Sequence, residues 1–137
     1  MTTFFDTNVL VYAVDAGDPV RKEIAIDRFA RAIKDDSVAL STQVLQEFYA
    51  ALTGSATSPV PRRAARELIH AYSAWPLVSL DAVDVLAAAD IEERHRVSFR
   101  DALIITAARK SGATLLLSDT LQPHRPITGL ELQNPFA

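Results

Sequence analysis

The sequence predicts an α/β fold with a central, mainly parallel sheet. Two observations predict it. Short apolar runs alternate with longer helical patterns along the chain, which is the signature of β-α units. The run Thr114-Leu115-Leu116-Leu117 is almost continuously apolar, as a strand covered on both faces should be.

The elements follow in order. Thr3-Phe4-Phe5 is a short β-prone run, with Asp6 directly after it. Thr7 to Val14 makes a first helical segment, and Asp15-Ala16-Gly17-Asp18-Pro19 is a turn with Pro19 near a helix start. From Val20 to about Lys34, Ile26, Phe29 and Ile33 fall at helical spacing, with charged residues on the other face. Val38-Ala39-Leu40 is a second apolar run. Ser41 or Thr42 can cap the next helix, whose stripe is Val44, Leu45, Phe48, Tyr49 and Leu52, and Gly54 is a natural stop. Residues 55–59 are the most loop-like part of the chain. A helix from about Pro61 to Trp75 follows, ended by Pro76. Leu77 to Leu80 reads as a third strand, and Ala82 to about Arg94 as an alanine-rich helix. Ser98 caps a further helix that is apolar nearly all round through Ala102-Leu103-Ile104-Ile105, hence buried on all sides, and that stops at Gly112. After the run 114–117, a last strand is expected around Leu130 to Leu132.

Composition bounds the function. The length, 137 residues, suits one domain, 1–137, and 49% apolar residues supply a core, which excludes global disorder. Cysteine is absent, so disulfides, thiolate catalysis and cysteine-held metal sites are excluded. No apolar stretch approaches the roughly 20 residues of a membrane helix. The start, MTTFFDTNVL, lacks a basic n-region, so no signal peptide is expected and the cytoplasm is the expected compartment. Seventeen acids against 14 bases, a net −3, argue against a generic basic nucleic-acid binder.

Open parallel sheets bind ligands beyond the carboxyl ends of their strands. Asp6 lies past the first run. Ser41, Thr42 and then Glu47 lie past the second, and Ser118 and Asp119 past the run 114–117. Asp101 sits in the first turn of the buried helix. Each acid has an ordinary explanation: Asp6 as a helix cap, Glu47 as a boundary glutamate, Asp119 as a turn residue. Ser98-x-x-Asp101 resembles a capping box. Together they place four carboxylates at one edge of the sheet. Clustered carboxylates repel, and a divalent cation removes that cost. Oxygen-only donors without His or Cys favour Mg2+ or Mn2+, the ions of phosphodiester chemistry, over zinc.

Four segments, in order and spanning about the whole chain, resemble the motifs of PIN domains. They are Phe5-Asp6-Thr7-Asn8-Val9-Leu10-Val11-Tyr12, Ser41-Thr42-Gln43-Val44-Leu45-Gln46-Glu47-Phe48-Tyr49, Ser98-Phe99-Arg100-Asp101-Ala102-Leu103-Ile104 and Leu117-Ser118-Asp119-Thr120-Leu121-Gln122. Gly129 and Asn134-Pro135-Phe136 resemble the ending common in VapC toxins. The resemblance implies a three-layer α/β/α sandwich and a Mg2+- or Mn2+-dependent endoribonuclease with one or two ions. It also implies the toxin of a type II toxin–antitoxin pair, a homodimer inhibited by a VapB-like antitoxin. Asp6, Glu47 and Asp101 would form the acidic triad, with Asn8 and Ser118 or Thr7 as polar supports. The fourth motif departs from the common Ser-Glu-Asp-Leu. Asp119 stands in the glutamate's place and Thr120 in the aspartate's, and Pro123-His124 replaces the His-Gly that often follows. Either Asp119 supplies the fourth acid, with Thr120 bonding a water, or the site works with three acids.

In the mechanism this implies, Asp6 and Asp101 hold the ion, Glu47 and Asp119 bind a second ion or orient a water, and Arg100 either contacts phosphate or is an ordinary surface arginine. Arg62, Arg63 and Arg66 form a groove rim, an antitoxin contact or simply a solvated face. His70, His95 and His124 are scattered, and the G-x-S-x-G elbow of a serine hydrolase is missing. A receiver-like phosphoacceptor would want adjacent acids after the first strand, where this chain has Asp6-Thr7. A PIN-like binding module without catalysis is the other rival. With the four site acids set aside, 13 acids face 14 bases, so the body is near neutral and RNA contacts must come from local arginines.

Overall fold

The computed structural model describes residues 1–54, 59–122 and 125–137. The loop expected at 55–59 therefore lies mostly outside the described residues, as does Pro123-His124. Five strands form one parallel sheet: β1 (Thr3–Phe5), β2 (Val38–Ser41), β3 (Leu77–Val78), β4 (Leu115–Leu117) and β5 (Glu131–Gln133), in the spatial order β3-β2-β1-β4-β5. Six helices among the described residues flank it, giving an α/β/α sandwich: α1 (Thr7–Val14), α2 (Pro19–Lys34), α3 (Thr42–Gly54), α4 (Arg62–Tyr72), α5 (Ala82–His95) and α6 (Phe99–Lys110).

Both faces of β1 are covered. Successive strand residues point to opposite faces, and Phe4 and Phe5 are both fully buried. Phe5 meets Phe29 of α2 edge-on at 5.1 Å. Phe29 in turn meets Tyr72 at 5.4 Å and Trp75 at 5.3 Å, and Tyr72 meets Phe48 of α3 at 5.4 Å. Such pairs add about 0.5–1.5 kcal/mol each beyond their area burial, and this chain of rings fastens α2, α3 and α4 to one face of the sheet. Helix α6 is buried on several sides, through Ala102, Ile104, Ile105, Thr106, Ala107 and Ala108.

Two expectations change. The buried stripe of α2 is Ala25, Phe29 and Ala32, whereas Ile26 is 47% and Ile33 43% exposed. The alanines let the helix approach closely around the one large ring. The isoleucines flank that stripe, roughly 90° round the helix. The third strand is two residues, Leu77–Val78, instead of four. Among the described residues it is an edge strand paired only with β2, with Pro76 before it and the Asp81 helix cap soon after. No helix among the described residues is long and apolar enough to cross a membrane.

The order β3-β2-β1-β4-β5 reverses direction at β1. The crevice beyond the carboxyl ends of β1 and β4 is therefore the switch point where such sheets bind ligands. Asp6 and Ser118 are the first residues past those two ends.

Candidate active site

Asp6 is fixed before any ligand arrives. Its amide continues the sheet ladder by donating to Leu117 O at 2.9 Å. Its side chain caps α1, accepting the Thr7 amide on Oδ1 at 2.7 Å, and Ser118 Oγ donates to Oδ2 at 2.8 Å. At 2% exposed, the carboxylate is held by buried hydrogen bonds on both oxygens. The capping explanation of Asp6 and its place in the site are thus compatible.

Glu47 reaches the same point from α3. Ser41 caps that helix by accepting the Val44 amide at 3.2 Å, which decides between Ser41 and Thr42. Thr7 Oγ1 donates to Glu47 Oε1 at 2.6 Å and Gln43 Nε2 to Oε2 at 3.3 Å. Gln43 was not singled out from the sequence. Its signal was its place one turn before Glu47, where side chains meet.

Asp101 enters from α6. Ser98 Oγ accepts the Asp101 amide at 3.0 Å and so caps the helix. Among the described residues, the Asp101 carboxylate does not return a bond to Ser98 and so leaves the capping box half made. It accepts instead from Arg100 Nη1 at 3.1 Å.

Arg100 is the hub. Its guanidinium donates from Nη2 to Asp6 Oδ1 at 2.7 Å and Glu47 Oε1 at 2.5 Å, from Nη1 to Asp6 Oδ2 at 3.1 Å, and from Nε to Glu47 Oε2 at 3.2 Å. Three carboxylates from three elements therefore surround one cation. Two bare carboxylates 4 Å apart repel by about 4 kcal/mol at an effective dielectric of 20, so a counter-charge is a condition of this cluster. Burial pushes the Glu47 carboxyl up, but the Arg100 hydrogen bond, the Thr7 hydroxyl and the Arg100 charge outweigh it and leave Glu47 below the ordinary carboxylate range. Burial likewise lowers the basicity of Arg100, and its bonds to Asp6 and Glu47 reverse that and raise it.

Asp119 joins a second cluster. It accepts from Asn8 Nδ2 at 3.2 Å and lies 3.7 Å from Arg21 Nη1. Arg21 also donates to the Tyr12 hydroxyl at 3.0 Å, and its guanidinium carbon lies 5.1 Å from the centroid of the Tyr12 ring and 5.3 Å from that of Phe136. Arg21 was missed, since nothing local in the sequence ties it to the fourth motif. Thr120 lines the cavity above the acids, of about 430 Å³, together with Thr7, Asn8, Glu47, Arg100 and Asp101. Ser118 Oγ is 3.4 Å from Thr120 Oγ1. Of the histidines, His95 is buried with Nδ1 3.1 Å from Arg125 O, His70 lies in the last turn of α4, and His124 is outside the described residues.

As placed, no three Asp, Glu, His or Cys side chains among the described residues could hold one metal ion. The donor set nevertheless fits a hard cation. Arg100 Nη2 is a positive centre contacted by oxygens of Asp6, Glu47 and Thr7, and oxygen donors alone suit Mg2+ or Mn2+.

Comparison with known proteins agrees with this architecture. VapBC2 from Rickettsia felis, solved bound to a DNA fragment from its promoter, superposes with a TM-score of 0.69 at 18% identity, covering 98% of both chains. A toxin–antitoxin complex from Klebsiella pneumoniae gives 0.67 at 15% identity, again over 98% of both. The Mycobacterium tuberculosis toxin VapC20, which cleaves the sarcin-ricin loop, gives 0.64 at 24% identity over 84% of this chain and 87% of that one. At these identities the likeness is one of fold. No curated protein matches the chain. The family model of the PIN domain matches residues 3–125, which contain Asp6, Glu47, Asp101 and the sheet edge that brings them together, and the chain belongs to the PIN domain family.

Proposed function

We propose that this chain is one PIN-like domain acting in the cytoplasm as a Mg2+- or Mn2+-dependent endoribonuclease. In this reading it is the VapC-like toxin of a type II toxin–antitoxin pair, homodimeric and inhibited by a VapB-like antitoxin. One observation carries the proposal: Asp6, Glu47 and Asp101, from three separate elements, converge on one cationic centre at the switch point of the sheet. The VapBC complexes among the structural neighbours support the antitoxin, and VapC20 supports RNA as substrate.

Asp6, Glu47 and Asp101 would hold the ion, which when bound eases ionisation of an attacking water and neutralises charge on the phosphoryl group. The chain's own residues then have separable tasks. Ser118 and the Thr7 amide keep both Asp6 oxygens aimed along fixed directions. The Thr120 hydroxyl offers a hydrogen bond to a water in the cavity. Asn8 lines the cavity and bonds Asp119, whose charge Arg21 offsets. Arg100 is the cation available to a scissile phosphate.

The test is cleavage of a panel of structured RNAs with Mn2+, with EDTA and with Asp6→Asn. Both controls are expected to lower cleavage by at least about 100-fold, the scale of losing one organised transition-state contact. Undiminished cleavage by Asp6→Asn would sink the site assignment. No cleavage of any RNA, with no growth arrest on expression, would instead identify a PIN-like binding module.

A further inference from the structure

We propose that Arg100 is a built-in counter-ion that occupies the acid cluster in the metal-free protein and is exchanged for the divalent cation when the site loads. The inference rests on the metal-dependent reading above and adds a competitor that the chain itself supplies.

The geometry carries it. A side chain that merely neutralised the rim would touch one acid. Arg100 instead threads its guanidinium among three, with Nη1 bridging Asp6 and Asp101, and Nη2 bridging Asp6 and Glu47. Those contacts use the same carboxylate oxygens that an ion would need. Mg2+ binds oxygens at about 2.0–2.1 Å in a near-octahedral shell and tolerates little distortion. An ion bridging Asp6 Oδ1 and Glu47 Oε1 would need the position that Nη2 takes, 2.7 and 2.5 Å from them. This explains why an acid-rich site contains no ready three-ligand group among the described residues. The carboxylates are spaced for a planar guanidinium, a larger cation than Mg2+.

Charge favours the exchange. Three carboxylates against one guanidinium leave two negative charges, and against one divalent ion they leave one. With Arg100 still in place, the ion would meet a cation at contact distance. With Arg100 withdrawn, three acids face one divalent ion. The side chain has room to leave: it is 36% exposed and opens on the cavity lined by Asn8, Ala51 and Thr120. Its backbone is anchored in the first turn of α6, so a withdrawn guanidinium remains beside Asp101, within reach of a phosphate in that cavity. One residue thus neutralises the acids in the metal-free protein and becomes a phosphate contact in the loaded one.

The experiment is a Mn2+ titration of the purified full chain by calorimetry, comparing wild type, Arg100→Gln and, as a charge-matched control, Arg63→Gln on the exposed face of α4. Arg100→Gln is expected to bind Mn2+ about tenfold more tightly than the other two, the gain when the competent state is about a tenth of free molecules. A second measurement needs no variant. In wild type, the Arg100 Nε–Hε proton is expected to be protected from solvent exchange without metal and to lose that protection on saturation with diamagnetic Mg2+.

Equal Mn2+ affinity in wild type and Arg100→Gln, or an Nε–Hε proton equally protected with and without Mg2+, overturns the exchange and leaves the nuclease reading standing. Absence of Mn2+ binding in both proteins overturns the exchange and the metal-dependent reading together. Tighter binding in Arg100→Gln with no RNA cleaved by either protein upholds the exchange and removes the nuclease reading alone. A poorly folded Arg100→Gln leaves the decision to the wild-type proton exchange.

Discussion

At the start of α5, Asp81 Oδ1 accepts the Asp84 amide at 3.0 Å, and the Asp84 carboxylate accepts the Asp81 amide at 2.9 Å. Lys110, from the end of α6, closes the arrangement by donating to Asp84 at 2.6 Å. At the start of α6, Ser98 makes the first of these two bonds, but the Asp101 carboxylate turns away to Arg100. Both helices have a cap residue with an acid three positions on, and both gain from negative charge in the first turn. What differs is the neighbourhood. The start of α5 is exposed, and beyond its own cap the Asp84 carboxylate meets Lys110. The start of α6 faces the crevice beside Asp6 and Glu47. A capping pattern therefore does not say whether its acid is spent on the helix or available to a site, and the surroundings of the first turn decide.

Substitutions can break or sharpen this comparison, and the largest effect is expected at Asp101. Asp101→Asn keeps the amide that Ser98 caps and removes the charge facing Arg100, so the fold should hold while RNA cleavage falls by at least about 100-fold. A melting curve together with a cleavage rate checks this, and equal cleavage would remove Asp101 from the site. Ser98→Ala is expected to act on both properties. Losing an N-cap costs about 1 kcal/mol, and the loosened first turn lowers cleavage several-fold through Asp101, read by denaturant unfolding and kinetics on one preparation. The smallest effect is expected at Asp84. Asp84→Ala should lower the melting temperature by roughly 2–4 °C and leave cleavage unchanged. The Lys110 hydrogen bond and the Asp81 amide hold the Asp84 carboxyl below its ordinary value of 3.8. Its contribution is therefore fully present above that pH and fades as the pH falls below it. Melting temperatures of Asp84→Ala and wild type should converge in acid, and a difference that persists there would point to a packing role.

The order of elements was legible because each carried its own period and punctuation. Gly54 and Pro76 marked boundaries, and Ser98 marked a cap. Asp6, Glu47 and Asp101 were readable as a group because each followed a strand or opened a buried helix. The stripe of α2 misled because Ile26 and Ile33 are more apolar than Ala25 and Ala32. Close approach of a helix to a sheet selects for small size, which a hydropathy pattern does not weigh.

The sequence by itself determined the α/β architecture and the three acids at its carboxyl edge, because strand ends and helix starts are local properties and a parallel sheet collects them on one side. It also displayed the irregular fourth motif, without saying what that irregularity does. Only the tertiary structure decided that Asp119 turns to Asn8 and Arg21, and that Arg100 lies among Asp6, Glu47 and Asp101. Those choices depend on charges from distant parts of the chain meeting in a partly desolvated crevice. There, the partner of each carboxylate is set by distance in space, which separation along the chain does not encode.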